Sequence, residues 1–321
     1  MRSAHVMIAA PLVVVLAGCA GVADGAAAPR PPAQSATRQA PPGATPEPAA
    51  PGTGRERGDD PPAAAGADVP APDASIPTDP AELAAALEKT STALYAAIDR
   101  WTRSGQERPP QDVVLLSLHQ QRVYRVLARD AALARRTAER LPARLAAEAR
   151  DNAKAVGSLL SLARPISAAR RKQMRLTEPL PAERLRGYMT RAEKRFGVEW
   201  EVLAAVMLVE TKFGRVTSSS SAGAQGPMQF MPATWGQYGL GGDVHDARDA
   251  VLGAANYLKA SGAPGDYRRA LFAYNHSGNY VDAVLAHARQ MRRDPRSFYA
   301  YYNWQVFVLS AKGDVRLTGP R

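Results

Sequence analysis

Hydrophobic and polar positions divide the chain into a short apolar run, a long stretch without large apolar residues, and a helical remainder that ends in alternation. Residues 6–16 are apolar but too few to span a bilayer as a helix. From residue 20 to about 77 the sequence is Ala, Pro, Gly and scattered charge with no period, so it cannot bury enough surface to offset its ordering entropy. Periodicity starts beyond it. Asp79 as N-cap, Pro80 in the first turn and Gly105 as a stop predict a first helix. Pro109 and Pro110 restart a second, with Val113, Leu116, Val123 and Leu127 at helical spacing. A third, Arg-rich stretch runs over 130–162, with Pro142 as a kink or a break. After the Pro-rich "TEPLPAERLRGY", read as a domain joint, helices are predicted near 181–196, 199–213, 232–238, 247–261, 266–275 and 281–291, with Asp246 or Asp249 capping the fourth of these. The tail "NWQVFVLSAKGDVRLTG" alternates, which predicts a β-hairpin of 304–309 and 315–318.

Charge and cysteine content change this picture in two places. Lys and Arg number 41 against 30 Asp and Glu, and residues 129–186 alone hold 14 basic and 6 acidic side chains. A basic helical face suits anionic lipid, wall polymers or simple solvation. Nucleic acid is excluded as a partner, because no aromatic residues interleave the Arg as stacking platforms and the N-terminus looks like an export signal. The one cysteine, Cys19, rules out a disulfide framework within the chain. It ends "LAGC", which resembles a bacterial lipobox, where the signal is cut before the Cys and the thiol is lipidated. Two acyl chains give durable anchoring. The expectation is a lipid-anchored protein on the outer face of the cell membrane, with residues 19–77 as a disordered tether. Such a tether averages roughly 40 Å end to end as a coil and roughly 180 Å in an extended polyproline conformation.

The candidate chemistry centres on "VLAAVMLVETKFG" (202–214). Met207, Val206 and Leu203 share the helical face of Glu210, so its carboxylate is expected to lose hydration and to hold its proton toward neutral pH, as a general acid must. On this pattern alone, a helix-end Glu paired with Lys212 or Arg215 serves as well. Downstream, "SSSSAGAQGPMQFMPATW" combines Ser hydroxyls, a Gly-rich turn, and Met and Phe beside a Gln, a mixture suited to the hydroxyl edges and apolar faces of a sugar. "LFAYNHSGNYV" adds a Tyr phenol and an Asn amide. His276 has no ligand spacing to another His and reads as a surface residue; no metal site and no cofactor is expected.

In that order the three blocks resemble the catalytic domain of soluble lytic transglycosylases, lysozyme-like enzymes that cut peptidoglycan, and more distantly goose-type lysozymes. The resemblance covers roughly residues 182–290. It implies that Glu210 is the catalytic acid, that Ser220 contacts substrate beside it, that Gln229 and Met231 line the sugar cleft, and that Tyr274 and Asn275 border the acid. Thr211 replaces the usual Ser, Pro227 a common Leu, and Gly278 falls one place late after Asn275.

The fold expected is mainly α: a signal peptide (1–18), the tether (19–77), a helical hairpin or bundle (78–178), a lysozyme-like catalytic domain (179–295) and a C-terminal β-hairpin extension (296–321). Most glycosidases need two carboxylates. No second one follows Glu210 within thirty residues. The resemblance implies a lytic route in which the muramyl 6-hydroxyl replaces water and a 1,6-anhydro end forms. Peptidoglycan strands are the expected partner, with the membrane, anionic wall polymers and cell-wall machinery as others. Two alternatives stand beside this reading: a muramidase using Asp243 or Asp246 to activate water, and a non-catalytic peptidoglycan-binding scaffold.

Overall fold

A computed structural model describes residues 69–320. Cys19, the signal segment and most of the expected tether lie outside the described residues. Residues 69–77 do not continue a tether. Arg122 donates to the Pro72 carbonyl at 3.2 Å, and Ile76 packs on the core, so the folded body starts before residue 78.

The N-terminal helices follow their predicted signals. Helix α1 (Pro80–Ser104) starts where Asp79 accepts from Ala81 and Glu82 N–H, and it ends at Gly105 with φ +71°. Helix α2 (Gln111–Leu127) follows Pro110. Pro142 proves to be a break: α3 (Ala131–Ala138) and α4 (Ala143–Leu162) are separate helices. A short α5 (Ala168–Gln173), absent from the sequence reading, precedes the Pro-rich segment. This bundle buries one acid. Glu148 on α4 accepts from Tyr95 (2.6 Å) and Tyr124 (2.9 Å), so its carboxyl is partnered by phenols rather than left for a ligand.

Beyond the Pro-rich segment come α6 (Ala182–Phe196), α7 (Trp200–Thr211), α8 (Pro232–Tyr238), α9 (Ala247–Ala260), α10 (Tyr267–Tyr274) and α11 (Gly278–Arg293). Helix α7 is apolar on every side, and every residue from Val202 to Thr211 is buried, as expected of a central helix. Helix α11 packs against both α7 and α4. The α4–α11 contact is laced with polar pairs: Asp151 holds Arg289 at 2.8 Å and Gln290 at 2.7 Å, and Asn279 donates to Ser161 at 2.8 Å. One hydrophobic core runs across the boundary read near residue 178, and both sides of it fall in one compact unit. An isolated bridge, Leu176 to Val216, and the Thr177 N–H to Arg215 carbonyl bond tie the Pro-rich segment to the exit of α7.

The C-terminal extension is only partly a hairpin. Residues 296–302 form helix α12 (Arg296–Tyr302), started by the Asp294 carboxylate accepting from Arg296 N–H. Its run of aromatic residues carried no alternation to mark it either way. Strands β1 (Val306–Ser310) and β2 (Gly313–Leu317) then pair antiparallel, with Val308 opposite Val315. The hairpin is fixed to the bundle through Asp314, which accepts from Arg125 and Arg129, and through Gln121, which bonds both the N–H and the carbonyl of Gln305. Part of the basic excess of the bundle is thus neutralised by acids from later in the chain, among them Asp282, Asp294 and Asp314.

Candidate active site

The chain leaves α7 through three successive residues of positive φ: Lys212 (54°), Phe213 (60°) and Gly214 (83°). Two of them are not glycine, so this exit is held against a backbone preference. Thr211 helps to hold it. Its hydroxyl donates to the Pro227 carbonyl at 2.6 Å and accepts from Gly214 N–H at 2.9 Å. The hydroxyl that Thr keeps in place of Ser thus clips the end of α7 to the Gly-rich turn.

That turn is built from its own backbone. Ser220 Oγ accepts from Ala224 N–H at 2.9 Å, and residues Gln225 and Phe230 form an antiparallel bridge. Gly226 has φ +73°, and a Cβ there would lie 1.8 Å from the Val244 carbonyl oxygen, so no other residue fits. Gln229, with φ 50°, donates its amide back to the Gly226 carbonyl at 3.0 Å. Tyr274, at the end of α10, reaches across and donates to the Met228 carbonyl at 2.7 Å, with the Phe230 ring edge-on to it at 5.8 Å.

Glu210 is fully buried. One carboxyl oxygen, Oε1, accepts from the Tyr280 hydroxyl at 2.8 Å; the other, Oε2, has no partner. Burial pushes its proton affinity up, to a pKa of about 8, against the opposing pull of the Tyr280 hydrogen bond and the Lys212 ammonium. The apolar face read from the sequence is present, but the carboxyl is enclosed rather than turned into an open cleft, and the Tyr280 hydroxyl occupies one of its two oxygens. The alternative pairing of Glu210 with Lys212 or Arg215 is not what α7 does. Arg215 lies beside Glu178 and donates to the Tyr302 carbonyl, and Lys212 Nζ donates to the Leu208 carbonyl at 2.8 Å.

Of the residues expected at the site, contacts join Tyr274 to Glu210 through Tyr280 and to the turn that carries Gln229, while Asn275 follows Tyr274 in the chain and is buried. The Tyr274 and Tyr280 rings stack in parallel with centroids 6.5 Å apart, which links the Met228–Gln229 turn to the carboxyl. Two further buried polar atoms on these segments are unpartnered, Gln229 Oε1 and Asn275 Nδ2. With Glu210 Oε2, which donates while the carboxyl is protonated and accepts once it is ionised, they are groups that a hydroxyl- and amide-bearing ligand would satisfy. Ser220 and Met231 are not joined to this group: the Ser220 hydroxyl is engaged in its own turn, and Met231 is half-buried as the N-cap of α8. His276 is exposed, edge-on to Phe272. Asp243 and Asp246 accept from backbone N–H groups of their own turn and of α9.

Tyr280 was missed in the sequence. The late Gly278 that departs from the usual pattern starts α11, with Ser277 as its N-cap, and so places Tyr280 in the first turn, facing α7. Replacing Tyr280 by Phe removes the one hydrogen bond that Glu210 receives. Turnover is expected to fall about tenfold, the worth of one hydrogen bond to a charged group, and the alkaline limb of its pH profile to move up. A pH–rate profile unchanged from wild type would contradict this role.

Residues 187–295, about a third of the chain, match the family model described as "Transglycosylase SLT domain". No curated protein and no solved structure matches the chain. The family match supports a lytic transglycosylase-type, lysozyme-like catalytic domain over that stretch. With it comes, at the level of the family, a function in cleaving peptidoglycan glycans.

Proposed function

We propose that the protein is a peptidoglycan lytic transglycosylase, with Glu210 as its single acid and base. The observation that carries this reading is the Glu210 carboxyl itself: buried, held protonated at neutral pH, and unpartnered at one oxygen. Such a group can give a proton to the oxygen that links C1 of N-acetylmuramic acid to N-acetylglucosamine. As that C1–O bond breaks, the muramyl 6-hydroxyl attacks C1, and its proton passes to the Glu210 carboxylate. One bond forms, one breaks, and the acid is regenerated without water. Within this reading Gln229 and Asn275 bind sugar hydroxyls and acetamido groups, Tyr274 holds the turn that carries Gln229, and Ser220 and Met231 border the bound glycan.

The proposal includes export with a lipid anchor at Cys19, which places the domain against the cell wall, and contacts of the basic bundle with anionic wall polymers. A water-activating carboxylate would favour the muramidase alternative, but Asp243 and Asp246 are committed to backbone capping. Digestion of purified sacculi followed by mass spectrometry tests the reading. Fragments with 1,6-anhydro ends are expected; fragments one water heavier, with reducing ends, would assign the muramidase instead, and binding without cleavage would assign the scaffold.

A further inference from the structure

At the exit of α7 lies a small cavity of about 30 Å³, lined by Glu210, Lys212, His287, Arg125, Gln121 and Trp304 among others. Its walls come from α2, α4, α7, α11 and β1, so elements outside the 187–295 match complete the surroundings of the acid. We propose that Lys212 is a positioning residue for the glycan cleavage. Its ammonium, held at the α7 exit beside this cavity, stabilises the carboxylate that Glu210 becomes on giving up its proton. The inference rests on the function proposed above.

Three observations support it. Lys212 occupies a left-handed C-cap position, where glycine is the usual and unstrained residue. Its side chain folds back so that Nζ donates to the Leu208 carbonyl, which keeps the charge at the end of α7. And, among the described residues, it makes no ion pair, while Glu210 lines the same cavity and acts on it through space.

The other ionisable groups around the pair do not take its place. Arg125 from α2 is committed to Asp314 at 2.7 Å. His287 from α11 is held neutral, burial and the nearby Lys212 pushing its pKa down to about 3. Tyr274 and Tyr280 have phenols raised well above their usual range by burial, so they stay neutral. The buried positions of α6 and α9 are apolar, or glycine in α9. The α12 phenols bond elsewhere, Tyr299 to Glu183, Tyr301 to Asn152 and Tyr302 to the Leu180 carbonyl. Burial and Arg125 press Lys212 down to about 8. It therefore carries its charge over the pH range in which Glu210 carries its proton. An acid with too high a proton affinity releases its proton poorly; the ammonium limits how far burial drives Glu210 in that direction.

The test is the pH dependence of kcat and KM on sacculi for wild type, Lys212→Met and Lys212→Arg. It is read beside a carbon-13 NMR titration of the Glu210 carboxyl in the same proteins. Removing the cation should raise the Glu210 midpoint by about one pH unit, a tenfold weaker acid, lower kcat several-fold and leave KM unchanged. Lys212→Arg should bring the midpoint back toward wild type. A Glu210 midpoint that stays put in a folded Lys212→Met protein, or an Arg variant that behaves like Met, overturns the proposal. If the Met variant does not fold, Lys212→Gln supplies the neutral comparison. The titration needs no turnover, so a wild type that fails to cut sacculi would sink the proposed function while the coupling is still read.

Discussion

Glu210→Gln is expected to lower the release of anhydro fragments from sacculi by about 10²–10⁴-fold, the usual contribution of a positioned general acid. The amide keeps an oxygen to accept from Tyr280, so the packing of α7 against α11 should persist, and a circular dichroism spectrum should match wild type. Stability should change in a direction opposite to activity. The folded-state pKa of Glu210 is raised from 4.5 to about 8. The native state then binds more protons than the unfolded chain between those values. The contribution of Glu210 is fully present below about 4.5 and is lost as pH rises through 8. Wild type should therefore lose thermal stability relative to the Gln variant across that window. Thermal melts of both proteins at several pH values check the sign. Equal melting temperatures at every pH would mean that the buried carboxyl carries no such penalty, and retained release would remove Glu210 from the mechanism.

The second large effect concerns the stretch that matches the family. Residues 187–295 expressed alone are expected to be unfolded or aggregated and to cut nothing. Phe213, at the α7 exit, packs its ring against Phe298 at 5.5 Å and Tyr302 at 6.0 Å, both on α12. Trp200 meets Phe298 as well, and His287 sits edge-on to Tyr301 and Trp304. Helix α11 would also lose α4 and the Asp151 network. Each large apolar side chain returned to water costs about 1.5–3 kcal/mol. Three or four of them approach the whole stability of a typical domain, about 5–15 kcal/mol. Size-exclusion chromatography and a cooperative melt of the fragment decide the point. A monomeric fragment with a sharp transition would show that the bundle and the hairpin are accessories.

Much of the fold could be read from local signals. Asp79 and Asp246 cap the helices that they were expected to cap, and Pro142 separates two helices. The hairpin that alternation predicted turns at Ala311 and Lys312, with strands shifted by one or two residues. What stayed hidden depends on distant partners. The aromatic run of α12 has no period of its own and is fixed by Asp294 and by packing on Phe213 and Trp101. Glu148 looks like one more charge on an Arg-rich helix until Tyr95 and Tyr124 close over it. At the site, the apolar face beneath Glu210 was visible in sequence because it is a property of one helix. The Tyr280 hydroxyl, the seal over the carboxyl and the cavity shared with α2 and β1 were not. Each joins residues more than fifty positions apart, and no spacing rule along the chain encodes them.

In the proposed mechanism an apolar enclosure, and not a second carboxylate, equips Glu210 to act as an acid at neutral pH. A carbon-13 NMR titration of the Glu210 carboxyl in the wild-type protein tests it most directly, with Glu210→Gln used to assign the resonance. The enclosure predicts a midpoint near 8. A midpoint close to the ordinary glutamate value of about 4.3 would contradict the account.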